Sequence, residues 1–307
     1  MPHPLRSAVV VAALIALAAG CAESAPEQQS TPAPASQTTF LDAPDQTFSR
    51  GGITINYRSI GNGEPLLLVH GYGDNLKMWA GLADSLAATH RVIAVDARGF
   101  GKSSKPAGVE NYGRAMIEDL VALLDSTGAT QAHVVGYSMG AMLAAELALS
   151  HPDRVRTATL AAGAFHKDSA AMRTMVAPWI ADLEQGRRLT RLIKEIVPVL
   201  PDSQVKTFSD QLFTEGDSAA LVATMKSFVP LSIDWSKVAA TKIPAVAIVG
   251  VDDPLRRFSG DLAARWSGAK LVEIPATDHM TIIASPRLLE EIRVVTKANP
   301  VGGSPTS

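Results

Sequence analysis

A serine stands between two glycines in the segment "HVVGYSMGAM", residues 133–142. Apolar residues precede it and an Ala- and Leu-rich stretch follows, so the serine falls where a strand gives way to a helix. The motif "GYSMG", residues 136–140, matches G-x-S-x-G, whose glycines permit a tight turn that projects the serine hydroxyl. The N-terminus of the following helix can stabilise a developing oxyanion. Ser138 is therefore a candidate nucleophile.

A serine hydroxyl is a weak nucleophile, so it needs a base within hydrogen-bond reach and a third group that orients this base. His279 follows the last strand-like run and is the preferred base, and His166, which also follows a strand, is the alternative. Asp252 and Asp253 come directly after the strand-like run "PAVAIVG" and are the candidate acids. Along the chain the order is Ser, Asp, His, which is the order of one fold in particular.

Short apolar runs alternate with helical patterns from about residue 47 onward, and this alternation predicts a doubly wound, mostly parallel sheet. The strand-like runs are residues 53–60, 65–71, 91–97, 132–138, 155–163, 244–250 and 270–276. Ligands bind such sheets at the carboxyl ends of the strands, where the candidate residues fall. His90, His133 and His151 fall at the opposite edge, which predicts surface or structural roles for them.

Residues 164–233 interrupt this alternation, because they carry helical patterns without a strand-like run. They predict a helical cap inserted over one edge of the sheet. The insertion divides the core into residues 48–163 and 234–298, and residues 299–307 form a loose tail.

The N-terminal residues do not read as part of the fold. Residues 8–20 are apolar, too few for a membrane-spanning helix but typical of a secretory signal. Cys21 is the single cysteine and follows Ala-Ala-Gly, which resembles the lipobox of bacterial lipoproteins. The resemblance implies a signal peptide over residues 1–20, a lipid anchor such as palmitate on Cys21, and export to the cell envelope. Residues 21–47 are rich in Pro, Ser, Thr, Gln and Ala and predict a flexible linker.

Composition narrows the class of protein further. The chain is 47% hydrophobic and 19% charged, as in ordinary globular proteins, and its net charge of −2 argues against a nucleic-acid partner. The seven histidines are scattered and do not show the spacing of metal ligands, so neither a metal nor a cofactor is expected.

Five segments resemble the α/β-hydrolase family over residues 48–298: "LLLVHGYG", "VDARGFGKS", "VVGYSMGAM", "IVGVDDP" and "DHMTIIASP". The resemblance implies the α/β-hydrolase fold and selects Asp253, three residues after the glycine that ends its strand, over Asp252. It also implies an oxyanion hole formed by the backbone N–H groups of Tyr72 and Met139. His70 is then a structural residue, and residues 96–101 form a turn that supports the site.

The nucleophile restricts the reaction. Epoxide hydrolases and haloalkane dehalogenases of this fold use an aspartate where this chain has Ser138, whereas a serine triad transfers an acyl group to water. We therefore expect a hydrolase that cleaves a small-molecule carboxylic ester, with an apolar acyl group suited to the apolar cap. The alternatives are a lactone hydrolase, a C–C bond hydrolase, a cofactor-free perhydrolase and a non-catalytic interaction protein of the cell envelope.

Overall fold

The computed structural model describes residues 38–166 and 168–302, except for the side chains of residues 213–215. The predicted signal peptide, Cys21, most of the predicted linker and the end of the predicted tail lie outside the described residues. None of the helices in the described ranges combines the length and the apolar character needed to cross a bilayer.

The described residues form an eight-stranded sheet in the order β1-β2-β4-β3-β5-β6-β7-β8. The strands are β1 Gln46–Arg50, β2 Ile53–Ile60, β3 Glu64–Val69, β4 His90–Val95, β5 Ala132–Tyr137, β6 Val155–Ala161, β7 Ala245–Gly250 and β8 Ala269–Ile274. Strand β2 pairs antiparallel with β1 and β4, and all other neighbours are parallel. The predicted mostly parallel sheet is thus confirmed, and β1 is an edge strand that the sequence analysis did not predict.

The described residues also form ten α-helices around this sheet. They are α1 Ala80–Ala87, α2 Arg114–Ser126, α3 Met139–Ser150, α4 Ser169–Glu184, α5 Thr190–Ile196, α6 Asp202–Glu215, α7 Ser218–Ser227, α8 Trp235–Ala240, α9 Arg256–Ala263 and α10 Pro286–Ala298.

Helices cover both faces of the sheet, which explains why the central strands are largely apolar on both faces. In β3, Leu66 and Leu68 pack in one apolar cluster with residues of α1 and α10. Leu67 and Val69 point to the other face and pack in a second cluster with residues of α2 and α3. Successive side chains of a strand alternate between faces, so a strand between two helical layers buries every side chain.

Helices α4–α8 lie between β6 and β7, and α4–α7 agree with the predicted helical cap. Met172, Val176 and Trp179 of α4 belong to the same apolar cluster as α2 and α3, so the inserted helices share a core with one face of the sheet. The Asp168 carboxylate accepts a 2.7 Å hydrogen bond from the N–H of Ala171 and caps the start of α4.

The end of the predicted linker differs from the structure. The composition predicts a flexible tether over residues 38–47, but the Phe40 side chain is completely buried on the face covered by α1 and α10. The Arg58 guanidinium donates hydrogen bonds to the carbonyl oxygens of Phe40 and Leu41 at 3.0 and 2.7 Å and pairs with Asp45 at 2.7 Å. One buried aromatic side chain and one arginine therefore attach this segment to the core, although its composition is typical of a linker.

Candidate active site

Ser138 lies at the sharp turn between β5 and α3. Its backbone has φ 52° and ψ −112°, in a region that residues other than glycine rarely adopt. A Cβ atom at Gly136 would lie 2.1 Å from the carbonyl oxygen of Gly140, and one at Gly140 would lie 2.0 Å from that of Val69. The backbone segments approach so closely that both flanking positions require glycine. The turn thus projects the Ser138 side chain as the motif predicts.

A histidine joins the Ser138 hydroxyl to a carboxylate. His279 Nε2 lies 3.0 Å from Ser138 Oγ, and His279 Nδ1 lies 2.9 Å from Asp253 Oδ2. In this arrangement the hydroxyl donates to Nε2, and the Nδ1–H donates to the carboxylate. His279 and Asp253 are 2% and 3% exposed, so little water competes for these contacts. The structure therefore brings together the three residues that the sequence analysis selected for a triad.

The two neighbouring aspartates have different surroundings. Asp253 is buried, and its second carboxylate oxygen accepts a 2.8 Å hydrogen bond from the N–H of Leu255. Asp252 is exposed to solvent. Asp253 is therefore placed to orient the imidazole, because one of its oxygens contacts His279 and the other accepts from the N–H of Leu255. A substitution of the exposed Asp252 provides the matched control for one of Asp253.

Tyr137, the residue before Ser138, contacts His279 through its hydroxyl and its ring. Its hydroxyl donates a 2.8 Å hydrogen bond to the carbonyl oxygen of His279, and the two rings lie 5.4 Å apart between centroids. Burial raises the pKa of the Tyr137 phenol, so the group stays protonated as a donor. Sequence reasoning missed this residue. The available signal was strand parity, because Tyr137 shares a face with Val135, and that face is covered by α10, which follows His279.

Tyr72 and Met139, the predicted oxyanion donors, line the same cavity as Ser138. Met139 is the first residue of α3, where backbone N–H groups lack partners within the helix. The Tyr72 hydroxyl donates a 2.7 Å hydrogen bond to the carbonyl oxygen of Leu221 in α7, and burial raises the pKa of this phenol well above its usual range. The loop that carries the Tyr72 N–H is thus attached to an inserted helix. Their assignment as oxyanion donors stays a prediction.

His70 and Asp96 hold the loops behind the site. The completely buried His70 donates from Nδ1 to the carbonyl oxygen of the next residue at 2.7 Å, and its Nε2 accepts from the N–H of Ala97 at 3.0 Å. The Asp96 carboxylate accepts from the N–H groups of Leu76 and Lys102, both at 2.8 Å. All of these contacts are to the backbone of neighbouring loops, which agrees with the structural roles that the resemblance implies.

His166, the alternative base, has a different set of contacts. Its Nε2 lies 3.0 Å from the sulfur of Met175, and its ring centroid lies 4.3 Å from that of Phe258. Burial lowers the pKa of His166. The structure thus pairs Ser138 with His279 and leaves His166 between the inserted helices and α9.

The three histidines that the sequence analysis places at the opposite edge do lie toward the amino ends of the strands. His90 is the first residue of β4, and His133 is near the start of β5, and both are buried. His151 ends α3 and contacts Glu118 Oε1 at 3.1 Å from a partly exposed position. Within the described part of the chain, no group of three or more His, Cys, Asp or Glu side chains is placed to hold a metal ion.

A cavity of about 280 Å³ opens beside Ser138 and His279. Its wall combines residues from the carboxyl edge of the sheet with residues from the inserted helices. The inserted helices contribute mostly large apolar side chains, among them Leu192, Ile193, Phe208 and Leu212. The candidate triad therefore faces an apolar space of the size of a small organic molecule.

Comparison with known proteins agrees with this fold. A family described as "alpha/beta hydrolase fold" matches residues 64–215, just under half of the chain. The crystal structure of a hydrolase from Pseudomonas aeruginosa PA01 superposes with a TM-score of 0.71 at 23% identity and covers 83% of this chain and 98% of that one. At that identity the likeness shows the fold alone.

Two curated relatives are similar over a shorter stretch. The fluoroacetate dehalogenase of Burkholderia sp. is 41% identical over 109 residues, 34% of this chain and 36% of that protein. The pimeloyl-[acyl-carrier protein] methyl ester esterase of Aeromonas hydrophila is 36% identical over 105 residues, 34% of this chain and 40% of that protein. The chain thus spans about two fifths of the length of these relatives. Together, the sheet order, the inserted helices and the matched region identify the chain as an α/β-hydrolase-fold protein.

Proposed function

We propose that this protein is a serine hydrolase that cleaves small-molecule carboxylic esters through an acyl-enzyme intermediate. One observation carries the proposal: the His279 imidazole lies 3.0 Å from the Ser138 hydroxyl and 2.9 Å from the Asp253 carboxylate, beside an apolar cavity. This is the arrangement in which an alcohol becomes an effective nucleophile at neutral pH.

In the first half of the reaction, Ser138 Oγ attacks the ester carbonyl carbon while His279 Nε2 takes the hydroxyl proton. The tetrahedral intermediate collapses, its bond to the alcohol oxygen breaks, and His279 returns the proton to the leaving alcohol. In the second half, water attacks the acyl group on Ser138 by the same proton transfers and releases the carboxylic acid. Asp253 keeps the Nδ1–H of the imidazole oriented and stabilises the imidazolium that forms in each half.

The negative charge that develops on the carbonyl oxygen needs fixed donors. We assign this role to the backbone N–H groups of Tyr72 and Met139. Support comes from their position beside Ser138 in the cavity wall and, for Met139, from the helix N-terminus that it begins. Such donors need no reorganisation during the reaction.

An ester is the substrate class that this site supports best. A serine oxygen forms an ester with the acyl group that it accepts, and water can then hydrolyse this new ester by the same chemistry. The curated relatives include one whose name describes a methyl ester esterase and one whose name describes a dehalogenase. A serine at the turn between β5 and α3 favours acyl transfer for this chain.

The test is active-site labelling. A fluorophosphonate probe phosphonylates activated serines, so purified wild-type protein should be labelled on Ser138, as located by peptide mass spectrometry, and Ser138→Ala should not. In parallel, the wild type should hydrolyse p-nitrophenyl butanoate. A folded wild-type protein that neither reacts with the probe nor hydrolyses any ester would contradict the proposal and favour a non-catalytic interaction protein.

We also propose that the protein is exported and held at a membrane by a lipid on Cys21. Support comes from the apolar residues 8–20 and the Ala-Ala-Gly that precedes Cys21. One acyl chain binds a membrane weakly, so stable anchoring needs more than one chain. In cells, wild-type protein should fractionate with membranes and Cys21→Ala should not. Wild-type protein that is freely soluble after export would refute the anchor.

A further inference from the structure

The cavity beside the candidate triad is unusually rich in methionine. Seven of the nine methionines of the sequence line it. They are Met78, Met139, Met142 and Met280 from the core, and Met172, Met175 and Met225 from the inserted helices. Because methionines lie on both sides, a bound molecule would meet them from the sheet edge and from the inserted helices alike.

Methionine differs from the other large apolar residues in flexibility. Its unbranched side chain has three rotatable bonds and a polarisable sulfur, so it fills gaps of irregular shape and adapts to different partners. Met139 and Met280 each follow a residue of the candidate triad in the chain, so the adaptable wall begins next to the reacting atoms. A cavity lined in this way can repack around acyl groups of different shape.

The charges of the lining residues restrict which substrates the same cavity can bind. None of the described residues that line it is a lysine or an arginine, and Asp74 contributes a carboxylate to its wall. A substrate that carried its own carboxylate would lose water on entering and meet no opposite charge, which is unfavourable. Uncharged acyl groups avoid this penalty.

We propose that the methionine-lined cavity accepts uncharged acyl groups of different shapes with similar efficiency and excludes acyl groups that carry a carboxylate. The inference rests on the proposed ester hydrolysis and extends it to the substrate class. Linear, branched and aromatic acyl groups are all substrates, because the side chains that surround them can change rotamer at small cost.

The first experiment compares kcat/KM for p-nitrophenyl esters of butanoate, hexanoate, 2-methylpropanoate and benzoate. A rigid apolar pocket discriminates by about 10- to 200-fold for a single methylene group. For the wild type we expect values within about tenfold of one another across the whole panel. A spread of about 100-fold or more among these uncharged esters would overturn the inference.

A matched pair tests the exclusion of charge. The 4-methylpentanoate and hemisuccinate esters have acyl groups of nearly the same shape, but the second ends in a carboxylate. We expect kcat/KM to be at least about 100-fold lower for the hemisuccinate ester. Equal values for the two esters would refute the electrostatic part of the inference.

The methionines themselves are tested by replacement. Combined Met172→Leu and Met225→Leu substitutions keep the volume and apolar character but remove flexibility, so the spread across the uncharged panel should widen at least about fivefold. Met116→Leu is the control, because Met116 is as deeply buried but lies in α2, outside the cavity wall. An unchanged spread in the double variant, or an equal change in the control, would contradict the inference.

Fluorophosphonate labelling separates the two levels of the proposal. Wild-type protein that is labelled on Ser138 but strongly prefers one of the uncharged esters would support the proposed function and contradict this inference. Wild-type protein that is not labelled and hydrolyses none of the esters would contradict both the proposed function and this inference. Labelling also counts the active sites in each variant, so a partly unfolded preparation is not mistaken for altered specificity.

Discussion

The candidate triad at the carboxyl edge of the sheet has a close counterpart at the amino edge. There, His133 Nε2 lies 3.0 Å from Glu64 Oε2, and His133 Nδ1 lies 2.9 Å from Thr157 Oγ1. Each edge thus holds a hydroxyl, an imidazole and a carboxylate in one chain of contacts. The side-chain chemistry and the distances are nearly the same at the two edges.

The surroundings differ. His133 and Thr157 are 0% and 1% exposed, and Thr157 lies within β6, where backbone groups pair with neighbouring strands. Glu64 also accepts a 3.0 Å hydrogen bond from the N–H of Val301, which ties the end of the described chain to the sheet. Ser138, in contrast, lies on a strained turn beside a cavity and a helix N-terminus. Access and available N–H donors, rather than the set of side chains, therefore distinguish a candidate active site from a structural network.

The largest expected effect comes from removing each hydroxyl in turn. Ser138→Ala should lower kcat for p-nitrophenyl butanoate by at least about 10⁴-fold, because the nucleophile is lost. Thr157→Val removes the corresponding oxygen at the amino edge and should leave kcat within about twofold of the wild type. Steady-state kinetics on folded protein provides the measurement. Comparable losses in both variants would mean that the two edges are not functionally distinct.

The next largest effect separates the neighbouring aspartates. Asp253→Asn keeps the shape but can no longer stabilise the imidazolium, so kcat should fall by about 10³-fold. Asp252→Asn changes an exposed side chain and should alter kcat less than about twofold. If the two variants lost activity equally, Asp253 would not be the orienting acid.

At the amino edge the expected effect is on stability. His133→Leu removes both hydrogen bonds of a completely buried imidazole and should lower the free energy of unfolding by about 2 kcal/mol. The kcat of the folded variant should stay within about twofold of the wild type. Urea unfolding and the ester assay measure the two quantities. A variant with normal stability and reduced kcat would reverse the roles assigned to the edges.

The smallest expected effect is a pH dependence. Burial lowers the pKa of His133 and of His90 below the ordinary value of 6.5. Below pH 6.5 the unfolded chain therefore binds protons that these folded histidines do not, and the free energy of unfolding falls as the pH falls. Above pH 6.5 both states are neutral at these residues and this dependence disappears.

His133→Leu should weaken this dependence. Each proton contributes at most about 1.4 kcal/mol per pH unit, and the variant lacks one of the histidines whose pKa is lowered by burial. Urea unfolding of wild type and variant between about pH 7 and pH 5.5 measures the difference. This window stays above the pKa of Glu64, which is lowered from 4.5. Identical slopes for the two proteins would show that His133 does not titrate as its burial implies.

Much of the fold could be predicted from the sequence because strands and helices carry local patterns. The seven strand-like runs correspond to β2–β8, and the interruption after β6 corresponds to α4–α7. Strand β1 could not be predicted, because it is a short edge strand with mostly exposed side chains that follow no apolar alternation. The burial of Phe40 could not be predicted either, because one aromatic residue in a Pro- and Ser-rich segment is a weak signal.

For the candidate site, the sequence determined which side chains fall at the carboxyl ends of strands. A parallel sheet brings those ends to one edge whatever the order of its strands, so Ser138, His279 and the pair Asp252 and Asp253 could be placed together in advance. The family resemblance then selected Asp253. The close backbone approach at Gly136 and Gly140 is likewise encoded in five consecutive residues.

The tertiary structure decided what depends on packing between distant segments. The Tyr137 hydroxyl meets the carbonyl oxygen of His279 across 142 positions of the chain, and seven methionines from separate elements converge on one cavity. His133 resembles His279 in its partners and differs in what surrounds it. Local periodicity assigns a residue to an edge or a face, but contacts between separate segments arise from the three-dimensional fit of the helices and strands that carry them.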